Sequence, residues 1–319
     1  MFPPRRAVGQ TPPVPVLRPT PQSFVVVDLE GADRSDGVVR WAKKILLDGA
    51  ANLARSRTYG WATLGERISG ASAGISAPPE ERTDAVAAFL EAAVGDSGQI
   101  ALDPGKGLDW SELAPLRATD WRSEIRSAHD GEELQRSLLA AGVIAAATTA
   151  CGDLAGRRVV IEGPEAIANV LGGAFAEAGA AVVNPEDTSA TGALGASGDL
   201  LCCGSAVGMI DHQSIAGLDV GWVVPWGPMP VTTRGLAVGR RSGTQVLPDF
   251  VTTIGPLVAA IAGPDDSVGT VTERTAELVA AVMAEVLDHE EGPLVGACVR
   301  AEAFLSTWQE TLPFGRPIA

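Results

Sequence analysis

Few side chains in this sequence are suited to proton or group transfer, and that scarcity limits the chemistry open to it. Only three lysines occur, Lys43, Lys44 and Lys106; the other twenty-one basic residues are arginines, which stay protonated near neutral pH and relay protons poorly. Cys151, Cys202, Cys203 and Cys298 form no C-x-x-C pair and read as reduced, buried, small hydrophobes. His129, His212 and His289 are scattered in polar surroundings without metal-ligand spacing. Three places remain. Asp103, before Pro104-Gly105, is either a general acid or base or the cap of a turn. Gly70-Ala71-Ser72-Ala73-Gly74 has the G-x-S-x-G form of a hydrolase nucleophile elbow. The preceding Gly65-Glu66-Arg67-Ile68-Ser69 is not an apolar strand, however, and small residues allowing close backbone packing are the competing reading. The third place is Gly163-Pro164-Glu165-Ala166-Ile167-Ala168, directly after the apolar Val159-Val160-Ile161. A phosphate cradle there would read G-x-G-x-x-G. Only the first glycine is present, with Ala168 in place of the last, and Glu165 sets a negative charge at the start of the following helix.

The elements that position these residues alternate in type. Residues 1–22 carry seven prolines and read as an extended or disordered arm. A strand is expected over Ser23 to Leu29, a long helix from about Val38 to Leu64, a Gly/Ser-rich stretch over 69–74, a helix around Thr83 to Val94 and a short strand at Ile100-Ala101-Leu102. An Ala- and Leu-rich helix from about Glu132 to Ala150 leads to the strand Val159-Val160-Ile161, a helix from Glu165 to about Ala178, and a strand from Ala180 to Val183. This β-α-β order implies a parallel sheet. Further strands are expected at Leu200 to Cys203, Gly221 to Val224 and Gln245 to Leu247, then helices over Thr272 to Leu287 and Pro293 to Trp308. The chain therefore divides into the arm 1–22, a first α/β domain over 23–135, a doubly wound domain over 136–265, and C-terminal helices over 266–319 that pack back across the cleft.

Several blocks, in consistent order over about residues 23–310, resemble the glutamate/leucine/phenylalanine/valine dehydrogenase family. Thr58-Tyr59-Gly60-Trp61-Ala62 through Ser69-Gly70-Ala71-Ser72-Ala73-Gly74-Ile75 resembles the family's T-Y-K-N-A and G-G-x-K-x-G-I blocks at the same spacing. Gly37-Val38-Val39-Arg40 resembles its G-G-x-R element, and Asp153-Leu154-Ala155-Gly156 through Gly163 the start of its dinucleotide domain. Pro248-Asp249-Phe250-Val251-Thr252-Thr253-Ile254-Gly255 resembles the P-D-x-x-x-N-x-G block that reaches the nicotinamide. The resemblance implies an N-terminal α/β substrate and dimerisation domain, a Rossmann-like doubly wound domain binding NAD or NADP, an amino or keto acid ligand, and a homodimer or higher homo-oligomer. It places Asp103 at the family's catalytic aspartate. Gly60 and Ser72 stand at its two lysines, one holding the substrate carboxylate and one activating water or ammonia. Thr253 stands at its asparagine, and Asp187 near the acid that contacts the adenosine ribose. Neither Gly60 nor Ser72 supplies the lost charge, which is commonly worth roughly 3–4 kcal/mol of barrier.

The formal net charge of −15 and pI near 4.6 oppose binding to phosphate backbones or anionic lipid, so nucleic acid and membrane are not expected as partners. No apolar run of eighteen residues and no signal-like leader is seen, and a cytoplasmic location is expected. Three function classes follow. One is a nicotinamide-dependent oxidoreductase of the amino-acid dehydrogenase type, with Asp103, Arg40 and Arg67 replacing parts of the lost lysine machinery. Another is a catalytically inactive homologue that binds a metabolite or a partner. The last is a different reaction using Ser72 or Asp103.

Overall fold

The computed structural model describes residues 15–94, 99–128, 131–183, 190–312 and 315–319. The first half contains β1 (Val16–Leu17), β2 (Ser23–Val27), β3 (Ser35–Ala42), α1 (Leu47–Thr63), β4 (Ser69–Ser76), α2 (Arg82–Val94), β5 (Ile100–Pro104) and the single turn α3 (Ile125–Ala128). Its five strands lie in the order β1-β2-β4-β3-β5, with β3 parallel to both β4 and β5 and β2 antiparallel to β4.

Two expectations need correction here. The helix expected from Val38 begins only at Leu47, because Ser35–Ala42 is the strand β3, hydrogen-bonded on both sides. Its Val38, Val39 and Trp41 are β-branched or aromatic residues suited to a pleated interior. The Gly/Ser stretch is likewise a strand, β4, inside the sheet. Its small residues answer to what crosses it: a Cβ on Gly70 would lie 1.8 Å from the Ala54 carbonyl oxygen of α1. A Cβ on Gly37 of β3 would lie 1.8 Å from the Ala71 carbonyl oxygen. Helix and sheet approach closely because no side chain stands between them.

The second half contains α4 (Gly131–Cys151), β6 (Arg158–Ile161), α5 (Glu165–Glu177), β7 (Ala181–Val183), α6 (Ala190–Leu194), β8 (Leu200–Cys203), β9 (Trp222–Pro225), α7 (Thr233–Ser242), β10 (Gln245–Val246), α8 (Asp249–Thr252), α9 (Gly255–Ala260), α10 (Val268–Val286) and α11 (Pro293–Leu305). The strands form an all-parallel sheet in the order β10-β9-β8-β6-β7. They are apolar because both faces are covered, and Val159, Leu200, Leu201, Val223 and Val224 are fully buried. Ser267 caps α10 by accepting from the Thr270 N–H, and Thr232 caps α7 in the same way.

By length and composition α4 could cross a membrane, but its apolar face packs on α10, α5 and α9. α11 packs on α1, and the Tyr59 hydroxyl donates to Glu302 at 3.1 Å while Arg300 donates to the Thr63 carbonyl at 3.0 Å. The largest apolar core accordingly joins Tyr59, Trp61 and Ala62 of α1 to residues of the parallel sheet and the last helices. All four cysteines are free, three of them buried.

Candidate functional site

A cavity of about 460 Å³ opens between the two halves. Ser56, Arg57 and Gly60 reach it from α1, Pro104 and Gly105 from the end of β5, and Gln135 and Arg136 from α4. Trp226, Phe250 and Thr253 close it from the parallel-sheet side, and Trp110 adds a third aromatic wall. Apolar aromatic walls with a few convergent polar groups are the usual make-up of a small-molecule site. Gln135 contributes an unmet need: its buried amide nitrogen Nε2 has no hydrogen-bond acceptor among the described residues.

Of the residues singled out from the sequence, Gly60 and Thr253 line this cavity. Gly60 lies beneath the Leu257 side chain, whose Cδ1 a Cβ there would meet at 2.9 Å and would have to displace. The Thr253 hydroxyl donates to the Asp249 carbonyl at 2.7 Å. Ser72 lies in mid-strand on β4, fully buried, with its hydroxyl oxygen accepting from Arg40 at 3.4 Å. It is therefore not on a strand-to-helix turn, as a nucleophile elbow requires. Arg40 lines a separate pocket, and Arg67 is exposed away from the cleft. Asp187 lies outside the described residues.

Asp103 is bound into a buried ion cluster. Its carboxylate meets Arg126 at 2.6 Å, Arg122 at 3.0 Å and Arg57 at 3.8 Å. Burial alone would raise its pKa, but Arg122, Arg126 and Arg57 together hold it well below the usual carboxylate range. A group so held is a poor proton acceptor near neutral pH. Asp36 completes the cluster, accepting from Arg57 at 2.5 Å, Arg122 at 2.6 Å and the Trp61 indole at 3.1 Å. Sequence reasoning missed Asp36, Arg57, Arg122 and Arg126, because no spacing signal links residues that converge from β3, α1, the segment before α3 and α3 itself.

Asp249, in the block resembling P-D-x-x-x-N-x-G, is a different kind of buried acid. Its carboxylate accepts from Ser56 across the interdomain boundary at 3.1 Å and from the Met229 N–H at 3.0 Å. Burial raises its pKa to about 6, against the pull of those donors. The folded form thus binds a proton more readily than the unfolded chain, whose value is near 3.8. The Asp249 contribution to stability falls as pH rises from about 4 to about 6, by about 3 kcal/mol. Asp103 acts in the opposite sense, and its contribution is lost as pH falls below the ordinary carboxylate value. Denaturant midpoints measured from pH 4 to 7 should show a term that declines with rising pH and disappears in Asp249→Asn. A variant with an unchanged pH profile would remove Asp249 from this role.

The turn between β6 and α5, where a doubly wound sheet holds a dinucleotide, carries the Trp226 indole against its glycine. The Trp226 indole N–H donates to the Glu162 carbonyl at 2.7 Å, and its ring lies against Gly163. A Cβ on Gly163, whose φ is 139°, would be 2.5 Å from Trp226 Cζ2. The buried Glu162 carboxylate spans the crevice between the ends of β6 and β8. It accepts from the backbone N–H groups of Gly204 and Ser205 at 3.0 and 3.2 Å, and also from the Ser205 hydroxyl. Glu165 is the first residue of α5 and is exposed, and Ala168 is half-buried one turn on. An indole over the glycine turn and carboxylates at the crevice and helix start do not fit a pyrophosphate, which needs open backbone N–H groups and positive potential. Glu162 directly follows an apolar strand and Trp226 sits between Pro225 and Gly227, but only the fold brings the two together.

These two sheets, with a cleft between them, define a two-domain α/β protein whose second domain is Rossmann-like. No protein-family model and no curated protein matches the sequence. Solved structures do. L-tryptophan dehydrogenase from Nostoc punctiforme superposes with a TM-score of 0.66 over 89% of this chain and 92% of its own, at 16% identity. The hetero-hexameric glutamate dehydrogenase from Thermus thermophilus gives 0.72 over 91% and 86%, at 20% identity. The Plasmodium falciparum glutamate dehydrogenase gives 0.69 over 90% and 79%, at 11% identity. The chain has the amino-acid dehydrogenase fold.

Proposed function

We propose that this protein is a divergent member of the amino-acid dehydrogenase family that has given up hydride transfer and keeps the interdomain cleft as a binding site for a small molecule. The observation that carries this reading is the Trp226 indole seated on Gly163, with the Glu162 carboxylate beside it. Both substrate-side lysine positions support it: Gly60 carries no side chain and lies beneath Leu257, and Ser72 is buried in the sheet. The ligand class follows from the walls. Trp110, Trp226 and Phe250 suit an aromatic or branched apolar body, and the unpartnered Gln135 amide suits a ligand oxygen. Aromatic amino and keto acids are the first candidates, in keeping with the tryptophan named for the Nostoc relative.

Calorimetric titration with NADH and NADPH tests the first part. No saturable heat is expected up to millimolar cofactor, whereas saturable micromolar binding would restore the oxidoreductase reading. A parallel titration with phenylpyruvate and tryptophan is expected to give saturable heat, and a flat response to both would remove the proposed ligand class. A homodimer belongs to the same proposal. The apolar strand over residues 23–30 and the long helix after it are the surfaces expected to carry it; β2 is paired on both sides, so strand pairing between copies would have to use another edge. Light scattering across a wide concentration range tests for the dimer, and a monomer throughout would exclude it.

A further inference from the structure

A second pocket, of about 220 Å³, lies beside the opening turn of α1. Arg40, Lys44 and Lys106 line it together with Leu46 and Gly49, and no aspartate or glutamate is among its lining residues. Two of the three lysines in a chain of net charge −15 are therefore gathered at one concave spot. Among the described residues, no carboxylate forms an ion pair with any of the three cations. Among the described residues, the Arg40 side chain makes one hydrogen bond, the long one to Ser72 at 3.4 Å.

Among the described residues, two buried donors are also left without acceptors, Arg40 Nε and Trp41 Nε1, and both residues line this pocket. Buried donors are ordinarily satisfied, and an orphaned one in a native fold points to a partner that is not protein. Burial also pulls the Arg40 guanidinium below its ordinary value, with no neighbouring carboxylate to offset the cost. The turn of α1 that forms one wall begins at Leu46, which offers no capping side chain, so its free N–H groups face the pocket side; Asp48 in that turn partly offsets the helix polarity but is not among the lining residues.

We propose that this pocket binds the phosphate group of a small metabolite, held by Arg40, Lys44 and Lys106. Phosphate suits the site because it carries nearly two charges and several acceptor oxygens that can meet several donors at once. At about 30 Å³ of liquid volume per water, the space holds a phosphate with a short carbon chain. The pocket abuts the cleft without belonging to it. Gly49 and the cleft-lining Leu53 are one turn apart on α1, and Arg40 packs under the cleft-lining Gly105. The assignment does not depend on what the cleft binds.

The test is calorimetric titration of the full chain at low ionic strength with inorganic phosphate and with glycerol 3-phosphate. Chloride at matched ionic strength serves as the control. Saturable binding is expected for both phosphates and not for chloride. Lys44→Met and Lys106→Met, both at exposed positions, should each weaken it about fivefold, the loss of one charge-assisted contact. Lys43→Met, outside the pocket, should leave it unchanged. Tighter binding of glycerol 3-phosphate would favour the metabolite, and equal affinity would mark the free ion as the ligand. Absence of saturable heat, or equal affinity in Lys44→Met, Lys106→Met and the parent protein, would overturn the assignment.

Discussion

Replacing Arg122 with methionine is expected to destabilise the protein by about 3–5 kcal/mol, the usual result of removing one partner from a buried ion cluster. The Arg122 side chain is 3% exposed, and it reaches Asp36 at 2.6 Å, Asp103 at 3.0 Å and Asp120 at 2.6 Å. Methionine fills most of the volume, so the loss comes from charges left behind rather than from a cavity. Asp36 would keep Arg57 and the Trp61 indole, and Asp103 would keep Arg126, but both would remain buried with less positive charge beside them. The contrast is Arg82→Met, which breaks a solvent-facing pair with Glu112 and should cost no more than about 1 kcal/mol. Urea denaturation of the two variants separates them, and an Arg122→Met loss no larger than that of Arg82→Met would show that the cluster is not a structural hub.

This cluster also bears on how the first domain diverges in chemistry. Asp103 stands where the resemblance places a catalytic aspartate, yet its charge is committed to three guanidinium groups. The position is used to tie β5, α1, α3 and the segment before α3 together. Neither Gly60, beneath the Leu257 side chain, nor Ser72, internal to the sheet, carries a charge. On the cofactor side the Trp226 indole lies against the glycine of the turn, and the Glu162 carboxylate spans the crevice.

Much of the parallel-sheet half was legible in the sequence. Leu200–Cys203 coincides with the expected strand, and α4, α5, α10 and α11 begin or end within a few residues of their expected limits. Apolar runs bounded by glycine and acidic loops carry that information locally. The first half was harder. β3 and β4 are strands because they pair with each other and with β5 and β2, contacts made between segments far apart in the chain. Val38 to Leu64 also carries enough helix-compatible residues to hide the boundary at Leu46. The candidate site was legible only at Gly60 and Thr253. Trp226, Glu162, Gln135 and the arginine cluster are brought to it by topology, and no fixed spacing announces them.

A single methyl group is expected to have a very large effect at Gly70. Alanine there places a Cβ 1.8 Å from the Ala54 carbonyl oxygen and 2.7 Å from the Thr58 nitrogen, both backbone atoms of α1. Neither can move without shifting the helix as a body. The shift would also break the hydrogen bond from the Gly70 N–H to the Thr58 hydroxyl at 2.9 Å, and it would disturb the packing of α11 on the far side of α1. Overpacking of this kind against rigid backbone belongs to the exceptional class of substitutions that cost more than about 4 kcal/mol. That is comparable to the whole stability of many domains, so Gly70→Ala is expected to yield little folded protein. Gly173→Ala provides the opposite case. Gly173 lies inside α5 with nothing within 4 Å of an added Cβ, so alanine should stabilise by roughly 0.5–1 kcal/mol through helix propensity. Soluble yield, circular dichroism and denaturant midpoints of the two variants decide the matter. A Gly70→Ala protein that folds with the parent midpoint would mean that α1 does not rest on β4 as closely as the structure places it.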